Sequence, residues 1–186
     1  RRAEQAGFQG VELHGAHGYL LAQFLDADHN QRVDRYGGSF QNRARIVFEL
    51  IDGIRAATAA GFQLGLRLSA ERFGIDMSES LQLAQQVLAG GQLDYLDMSL
   101  WDCFKPPQDP RFAGQALIDP FAALPRGTTR LGVAGKILDA ATAQRMLEKI
   151  TPQTPGDARW CKYLEGRILL AQDQPAPALV IFEELI

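Results

Sequence analysis

The sequence predicts an α/β fold built on a parallel sheet that is covered by helices. Two observations carry this prediction: short apolar segments bounded by glycine or polar residues, and longer amphipathic segments between them. The apolar segments are interpreted as buried strands at residues 10–14, 64–68, 95–99 and 130–134. Strands of this kind that alternate with helices indicate either an open doubly wound sheet or a barrel.

The helices follow from their periodicity and their capping residues. Residues 1–7 are typical of the end of a helix closed by a glycine, here Gly7. Further glycines mark the returns from helix to strand. Three longer helices are predicted at residues 40–60, 79–89 and 140–149, with Ser39, Ser78 and Asp139 as their N-caps.

The pattern changes after residue 148. Residues 149–157 are rich in proline and turn-forming residues and are predicted to be a linker. Residues 158–186 are predicted to be a helical hairpin, with one helix at 160–172 and another at 177–186. The predicted organisation is therefore a βα domain over residues 1–148, the linker, and the hairpin.

Composition indicates an ordinary globular protein. The 186 residues are 46% hydrophobic and 22% charged, and the formal net charge of −3 gives no indication of nucleic acid or an anionic membrane as a partner. Two widely separated cysteines fit a reducing cytoplasm, and no apolar run approaches the roughly 20 residues that span a bilayer. The first residues resemble the end of a helix, so we expect the chain to begin partway through a domain.

Two histidines and a tyrosine directly follow the first predicted strand. Residues 14–19 read His-Gly-Ala-His-Gly-Tyr, so His14, His17 and Tyr19 leave the sheet together where a strand gives way to a loop. In α/β proteins the carboxyl ends of parallel strands are where ligands are held. Imidazoles can polarise a substrate oxygen, and a phenol can deliver a proton.

A longer and highly specific motif follows these residues. Residues 30–39 read Asn-Gln-Arg-Val-Asp-Arg-Tyr-Gly-Gly-Ser, and an Asn-Arg pair follows at 42–43. Weaker motifs come later in the chain, Leu-Arg-Leu-Ser at 66–69, Asp-Met-Ser at 97–99 and Gly-Val-Ala-Gly-Lys-Ile at 132–137. On these motifs, residues 5–147 resemble the old yellow enzyme family of FMN-dependent ene-reductases and NADH:flavin oxidoreductases.

The resemblance implies part of a (β/α)8 TIM barrel, about four βα units, followed by the C-terminal helical hairpin. It implies hydride transfer from NADH or NADPH through FMN to an activated alkene, an enone or a quinone-like acceptor. Such a barrel typically needs about 250 residues. We therefore expect the family's first three strands and its eighth to be missing from this chain.

The resemblance also implies a role for each candidate site residue. His14 and His17 are expected to hydrogen-bond the acceptor's carbonyl oxygen, where negative charge develops, and Tyr19 to protonate its α-carbon. Arg67 matches the arginine that faces the flavin pyrimidine ring. Gly135 and Lys136 lie where the family binds the FMN phosphate.

An incomplete barrel predicts self-association. Its first and last strands would each have an unpaired edge, at residues 10–14 and 130–134. We also expect the inward-facing apolar side chains of all four strands to be uncovered. Both features favour pairing with another half-barrel, or aggregation.

Other interpretations of the site residues stay open. His14 and His17 could bind zinc, with His29 and Asp26 or Asp28 completing the site. Tyr19 could be a packing residue, and Arg67 could be an ion-paired strand end. A further set could form a structural salt-bridge network in the long loop: Arg32, Asp34, Arg43 and Arg45. Trp101 and Phe104 could line the substrate side or belong to the core.

The alternative function is a non-catalytic scaffold or protein-binding remnant. In that case the half-barrel no longer binds FMN, and the helical tail recruits a partner. Gly166, Ala178 and Phe182 have the spacing of the small and aromatic positions of a tetratricopeptide repeat. One such repeat cannot bury its own apolar face.

Overall fold

The four predicted strands form one parallel sheet in chain order. The computed structural model describes residues 1–152 and 155–185. The strands are β1 (Gly10–Gly15), β2 (Gln63–Ser69), β3 (Tyr95–Ser99) and β4 (Arg130–Ala134), and they are ordered β1-β2-β3-β4. A doubly wound sheet reverses its strand order, whereas a barrel keeps it. The sequential order therefore favours an arc of a barrel.

Helices lie in the connections between these strands, and further helices follow β4. The three helices predicted at residues 40–60, 79–89 and 140–149 are present, with ends that differ by at most three residues. The first helix of the hairpin begins five residues before its predicted start at residue 160. Two short helices, at Leu20–Leu25 and Asp119–Ala122, and a 3-10 turn at Pro110–Phe112 were not predicted. In chain order the helices are α1 (Arg2–Gln5), α2 (Leu20–Leu25), α3 (Phe40–Ala57), α4 (Met77–Gly90), α5 (Asp119–Ala122), α6 (Ala140–Leu147), α7 (Pro155–Ala171) and α8 (Pro175–Glu183).

Two of the three predicted N-caps are confirmed. The Ser39 hydroxyl accepts a hydrogen bond from the Asn42 N–H, and the Asp139 carboxylate accepts one from the Thr142 N–H. The prediction for Ser78 is wrong, because α4 begins at Met77, two residues before its predicted start at residue 79, so Ser78 lies inside the helix. Asp76 caps it by accepting from the Glu79 N–H at 3.0 Å.

The two faces of the sheet differ sharply in polarity. One face is packed against the helices and carries fully buried side chains such as Leu66, Leu96 and Met98. Side chains alternate along a strand, so the residues next to these buried side chains point to the opposite face. The opposite face carries Glu12, His14, Arg67, Tyr95, Asp97, Ser99 and Arg130. The expectation of an apolar inward face is therefore wrong.

The long loop between α2 and α3 is held by polar contacts, as the network interpretation expected. The buried guanidinium of Arg43 donates to the Leu25 carbonyl at 2.9 Å and also reaches the Gly38 carbonyl and the Glu79 carboxylate. The Asn30 amide donates to the carbonyls of Phe24 and Tyr36, both at 2.7 Å. The outer members of the network also pair: Arg32 with Asp34, and Arg45 with the Arg35 carbonyl and Asn42.

The chain divides into two compact units, residues 1–135 and 136–186. The first unit holds the whole sheet. In the second, α7 and α8 form the predicted hairpin, in which Gly166 lies against the Phe182 ring. The helix α7 begins inside the predicted linker 149–157, of which residues 153 and 154 lie outside the described residues, as does Ile186. The predicted domain limits and the repeat-like character of the hairpin stay predictions.

None of the helices in the described part of the chain combines the length and apolar character needed to cross a bilayer.

Candidate active site

The structure brings His14, His17 and Tyr19 together at the carboxyl end of β1. The ring centroids of His14 and His17 are 5.0 Å apart, and those of His14 and Tyr19 are 5.3 Å apart. The Tyr19 side chain is 63% exposed, so its hydroxyl can reach a ligand. The predicted cluster therefore forms, although the role of each member stays a prediction.

Neighbouring strands hold His17 in an unusual conformation. Its φ of 60° is left-handed, and Gly18 follows with a φ of 74°. The His17 N–H donates to the Ser69 hydroxyl at 3.2 Å, and its Nε2 lies 2.7 Å from the Ser99 hydroxyl. Serines at the ends of β2 and β3 thus fix both the backbone and the ring of His17.

The His17 imidazole lies in a setting that favours its neutral form. Burial lowers the pKa of His17, and the nearby His14 and Arg67 lower it further. Asp97 opposes this effect but does not reverse it. A neutral imidazole can donate one ring N–H and accept at the other nitrogen.

Arg67 occupies the row of the sheet that contains His14. In the strand register Arg67 pairs with His14 on one side and with Asp97 on the other. Its Nε lies 3.2 Å from Asp97 Oδ2, yet it is buried and makes no hydrogen bond of acceptable geometry. The ion pair therefore leaves the Arg67 Nε–H without a well-aligned acceptor, and a ligand oxygen is a suitable partner for it.

Gly135 lies directly after β4, at the same end of the sheet as the histidines. Its carbonyl accepts from the Cys103 N–H, and a Cβ at Gly135 would lie 2.8 Å from that nitrogen. Only glycine fits this close approach of two loops. Lys136 begins the second unit with a left-handed φ of 52°. The phosphate role of both residues stays a prediction.

An open pocket of about 70 Å³ lies beside His17, and its walls include residues that the sequence did not assign to the site. They are Arg72 and Phe73, which follow β2, and Glu71. Trp101 also lines it and is 68% exposed, which favours the substrate-side interpretation of this residue over the core interpretation. Phe104 is not among the lining residues.

The zinc interpretation finds no support in the geometry. Within residues 1–152 and 155–185, no three histidine, cysteine, aspartate or glutamate side chains lie close enough to bind one metal ion. His29 instead pairs through Nδ1 with the buried Asp26 carboxylate at 2.6 Å. Although burial opposes ionisation, backbone hydrogen bonds from His29 and Asp28 hold the pKa of Asp26 below its usual value.

Comparison with known proteins links this site to flavin enzymes. Residues 1–105 match the model of the NADH:flavin oxidoreductase / NADH oxidase family. The chain is 45% identical over 101 residues to the NADH-dependent flavin oxidoreductase iccE of Talaromyces variabilis, a match covering 53% of this chain and 24% of that protein. It is 56% identical over 69 residues to the putative 12-oxophytodienoate reductase 4 of Oryza sativa subsp. japonica, covering 37% and 18%.

Solved structures show the same relationship. Morphinone reductase in complex with tetrahydroNAD matches with a TM-score of 0.57 and 31% identity, over 79% of this chain and 38% of that chain. A 2-naphthoyl-CoA reductase complex matches with a TM-score of 0.64 and 25% identity, over 79% and 24%. The predicted fold, part of a (β/α)8 barrel, is confirmed. The chain spans about a quarter or less of the length of the first two curated relatives.

Proposed function

The chain belongs to the NADH:flavin oxidoreductase / NADH oxidase family, the old yellow enzyme family, and on that basis we propose that it contributes the acceptor side of an FMN-dependent oxidoreductase. The class reaction is hydride transfer from NADH or NADPH to an activated alkene, enone or quinone-like small molecule. One observation carries the proposal. His14, His17 and Tyr19 meet at the sheet end where the Nε–H of Arg67, although ion-paired with Asp97, makes no hydrogen bond among the described residues.

The polar face of the sheet fits FMN. Arg67 Nε is the buried donor that a pyrimidine oxygen of the flavin would satisfy, and the guanidinium supplies a fixed positive charge beside it. Gly135 and Lys136 are proposed to hold the phosphate, because backbone N–H groups after a strand suit a dianion. When bound, FMN supplies the ring that carries the hydride between the reductant and the acceptor.

The three residues at the end of β1 are proposed to act on the acceptor. His14 makes no hydrogen bond among the described residues, so its ring is available to donate to a carbonyl oxygen. His17 is held by Ser99, which orients its ring toward the same ligand. Donors placed where negative charge develops stabilise the transition state, and the exposed Tyr19 hydroxyl is the proposed proton source for the α-carbon.

The second candidate function is protein binding through the hairpin. The helices α7 and α8 expose several large apolar side chains: Trp160, Tyr163, Leu164, Leu170, Leu179 and Val180. Exposed apolar surface of this kind often marks an interaction site. Pull-down with a 136–186 deletion as the control would show whether a partner depends on this unit.

The open edges of the sheet support self-association as the proposed oligomeric behaviour. In the described sheet β1 and β4 each have one neighbouring strand, so each leaves one backbone edge unpaired by a strand. We expect association that increases with concentration in sedimentation equilibrium. A monomer at every concentration would contradict this part of the proposal. Neither Cys103 nor Cys161 forms a disulfide in the described part of the chain, which suits the proposed cytoplasmic location.

Calorimetric titration of FMN into the chain tests the proposed function. We expect weaker than micromolar binding, since four strands supply only part of the contacts of an eight-stranded barrel. Arg67→Gln should weaken it by roughly tenfold, the effect of one charge-assisted hydrogen bond. Arg130→Gln, which removes a cation at the other end of the same face, should have little effect. Equal effects of the two variants would contradict the proposal, whereas submicromolar binding would contradict only the expectation that a four-stranded arc binds FMN weakly.

A further inference from the structure

The pocket beside His17 is walled by residues with strained backbones. Six described residues other than glycine have a left-handed φ, and four of them line this one pocket: His17, Arg72, Phe73 and Trp101. Such conformations are energetically unfavourable and persist where the surrounding structure requires them. Their concentration at one pocket indicates that this wall is built for a ligand.

A tight turn presents Arg72 and Phe73 to the pocket. The Ile75 N–H donates to the Arg72 carbonyl at 3.0 Å, and the two central residues, Phe73 and Gly74, both have positive φ, as a type I′ turn requires. Gly74 lies so close to Asp26 that a Cβ would be 1.8 Å from the carboxylate. Asp26 therefore packs against one side of the turn, and the side chains of Arg72 and Phe73 extend outward.

The Arg72 guanidinium lies between two aromatic rings. Its Cζ is 5.7 Å from the Phe73 ring centroid and 5.4 Å from that of Trp101. The Phe73 ring also meets the His17 ring edge-on, with centroids 6.2 Å apart. The wall is thus continuous from the histidine cluster to the guanidinium.

The positive charge of Arg72 is not neutralised by an acidic neighbour. Among the described residues its guanidinium makes no hydrogen bond and no ion pair. Glu71, the adjacent carboxylate, is buried and pairs with Lys105, and it also accepts from the Gln108 N–H at 2.8 Å. An exposed cation with free donors at the mouth of an aromatic pocket is suited to a carboxylate.

We propose that Arg72, with the rings of Phe73 and Trp101, selects planar conjugated acceptors that carry a carboxylate. The conjugated part packs against the two rings, and the carboxylate takes the free N–H donors of Arg72. The inference rests on the proposed function, because it takes this pocket as the acceptor side of the site. Arg72, Phe73 and Trp101 are specificity residues for the acceptor.

NMR titration of two matched probes tests the inference. The anionic probe is trans-cinnamate, and the neutral control is trans-cinnamyl alcohol, which keeps the ring and the conjugated double bond. The chain has two tryptophans, so a Trp160→Phe background leaves one indole N–H signal, that of Trp101. We expect cinnamate to bind about tenfold more tightly than the alcohol.

Substitutions then separate charge from packing. Arg72→Gln should remove the preference for cinnamate and leave the affinity for the alcohol unchanged. Arg72→Lys keeps the charge without the planar fork, so it should retain part of the preference. Arg35→Gln is the matched control, because Arg35 also lies over a ring, that of Tyr36, but does not line this pocket.

Three results would overturn the inference. They are equal affinity for the two probes in the unsubstituted chain, a preference that survives Arg72→Gln, and no binding of either probe. The titration contains no flavin, so its outcome is independent of FMN binding. A retained cinnamate preference with failed FMN binding would reject only the flavin assignment. Arg67-dependent FMN binding without the preference would reject only the role of Arg72.

Discussion

The two faces of the four-stranded sheet carry opposite chemistry on the same backbone. On the covered face Leu66 and Leu96 are inaccessible to solvent and pack under the helices. On the other face the neighbouring positions are Arg67 and Asp97, which form an ion pair in the row that contains His14. The packing of the core and the candidate site thus use alternate residues of the strands.

The candidate site on the polar face depends on the packing of the covered face. The covered face supplies the core that fixes the strand register, and the register alone aligns His14, Arg67 and Asp97. A shift of one residue would exchange the two sets and bury the charges. The site therefore depends on packing that it does not touch.

Substitutions on the two faces should differ most in their effect on the free energy of unfolding. Leu96→Ala removes a fully buried side chain and should lower the free energy of unfolding by about 3 kcal/mol. Asp97→Asn, on the next residue, should cost about 1 kcal/mol or less, because it removes only a partly exposed ion pair. Urea unfolding of both variants measures this. Equal costs would show that the polar face is part of the core.

Replacing two glycines by alanine should have smaller effects on stability, and these effects should be opposite in sign. Gly65 faces the polar side under the Tyr95 ring, and a Cβ there would lie 2.1 Å from that ring. Gly65→Ala should therefore destabilise by about 1–3 kcal/mol. Gly53, in α3, has open space around it, so Gly53→Ala should stabilise by about 0.5–1 kcal/mol.

Thermal unfolding of these two glycine variants gives the direct comparison. A Gly65→Ala protein as stable as the unsubstituted chain would mean that the Tyr95 ring does not cover the polar face. The Gly53→Ala variant controls for the general effect of removing a glycine.

The smallest expected effect is a shift in the titration midpoint of His17. Burial, His14 and Arg67 lower the pKa of His17, so its midpoint should lie below the ordinary value of 6.5. The unfolded chain then binds more protons than the folded chain as the pH falls below 6.5. His17 therefore lowers the free energy of unfolding as the pH falls from 6.5 through the depressed pKa of the folded state. Above pH 6.5 this destabilisation is absent.

The chain has only three histidines, so their ring signals can be followed separately by NMR across this pH range. Arg67→Gln should move the His17 midpoint upward, because it removes one of the three causes of the shift. A His17 midpoint at or above 6.5 in the unsubstituted chain would contradict the expected setting of this residue.

The sequence predicted those features that depend on neighbouring residues. His14, His17 and Tyr19 lie within one short segment after a strand, so their proximity follows from local structure. The strands were found within one residue of their ends, because each is an apolar run with clear boundaries. The cap of α4 was misplaced since Asp76 and Ser78 are both good capping residues, and the choice between them depends on where the turn ends.

Features that depend on strand register could not be predicted. Ser69 and Ser99 contact His17 across 52 and 82 residues of sequence, and only the pairing of three strands brings them together. The polarity of the inward face does not follow from the apolar runs that identify the strands, because those runs give the position of a strand but not which of its faces the helices cover. The left-handed conformations of Arg72 and Trp101 have no sequence signal, since neither is a residue that favours positive φ.

We expect ligands to bind the polar face of the sheet and not its covered face. The backbone ¹H–¹⁵N NMR shifts caused by added FMN distinguish the two faces residue by residue. The largest shifts should occur at the carboxyl ends of the strands, around His14, Arg67 and Ser99, with none along α3 and α4. Shifts that cluster on the helix-covered side, or the absence of any shift, would contradict this expectation.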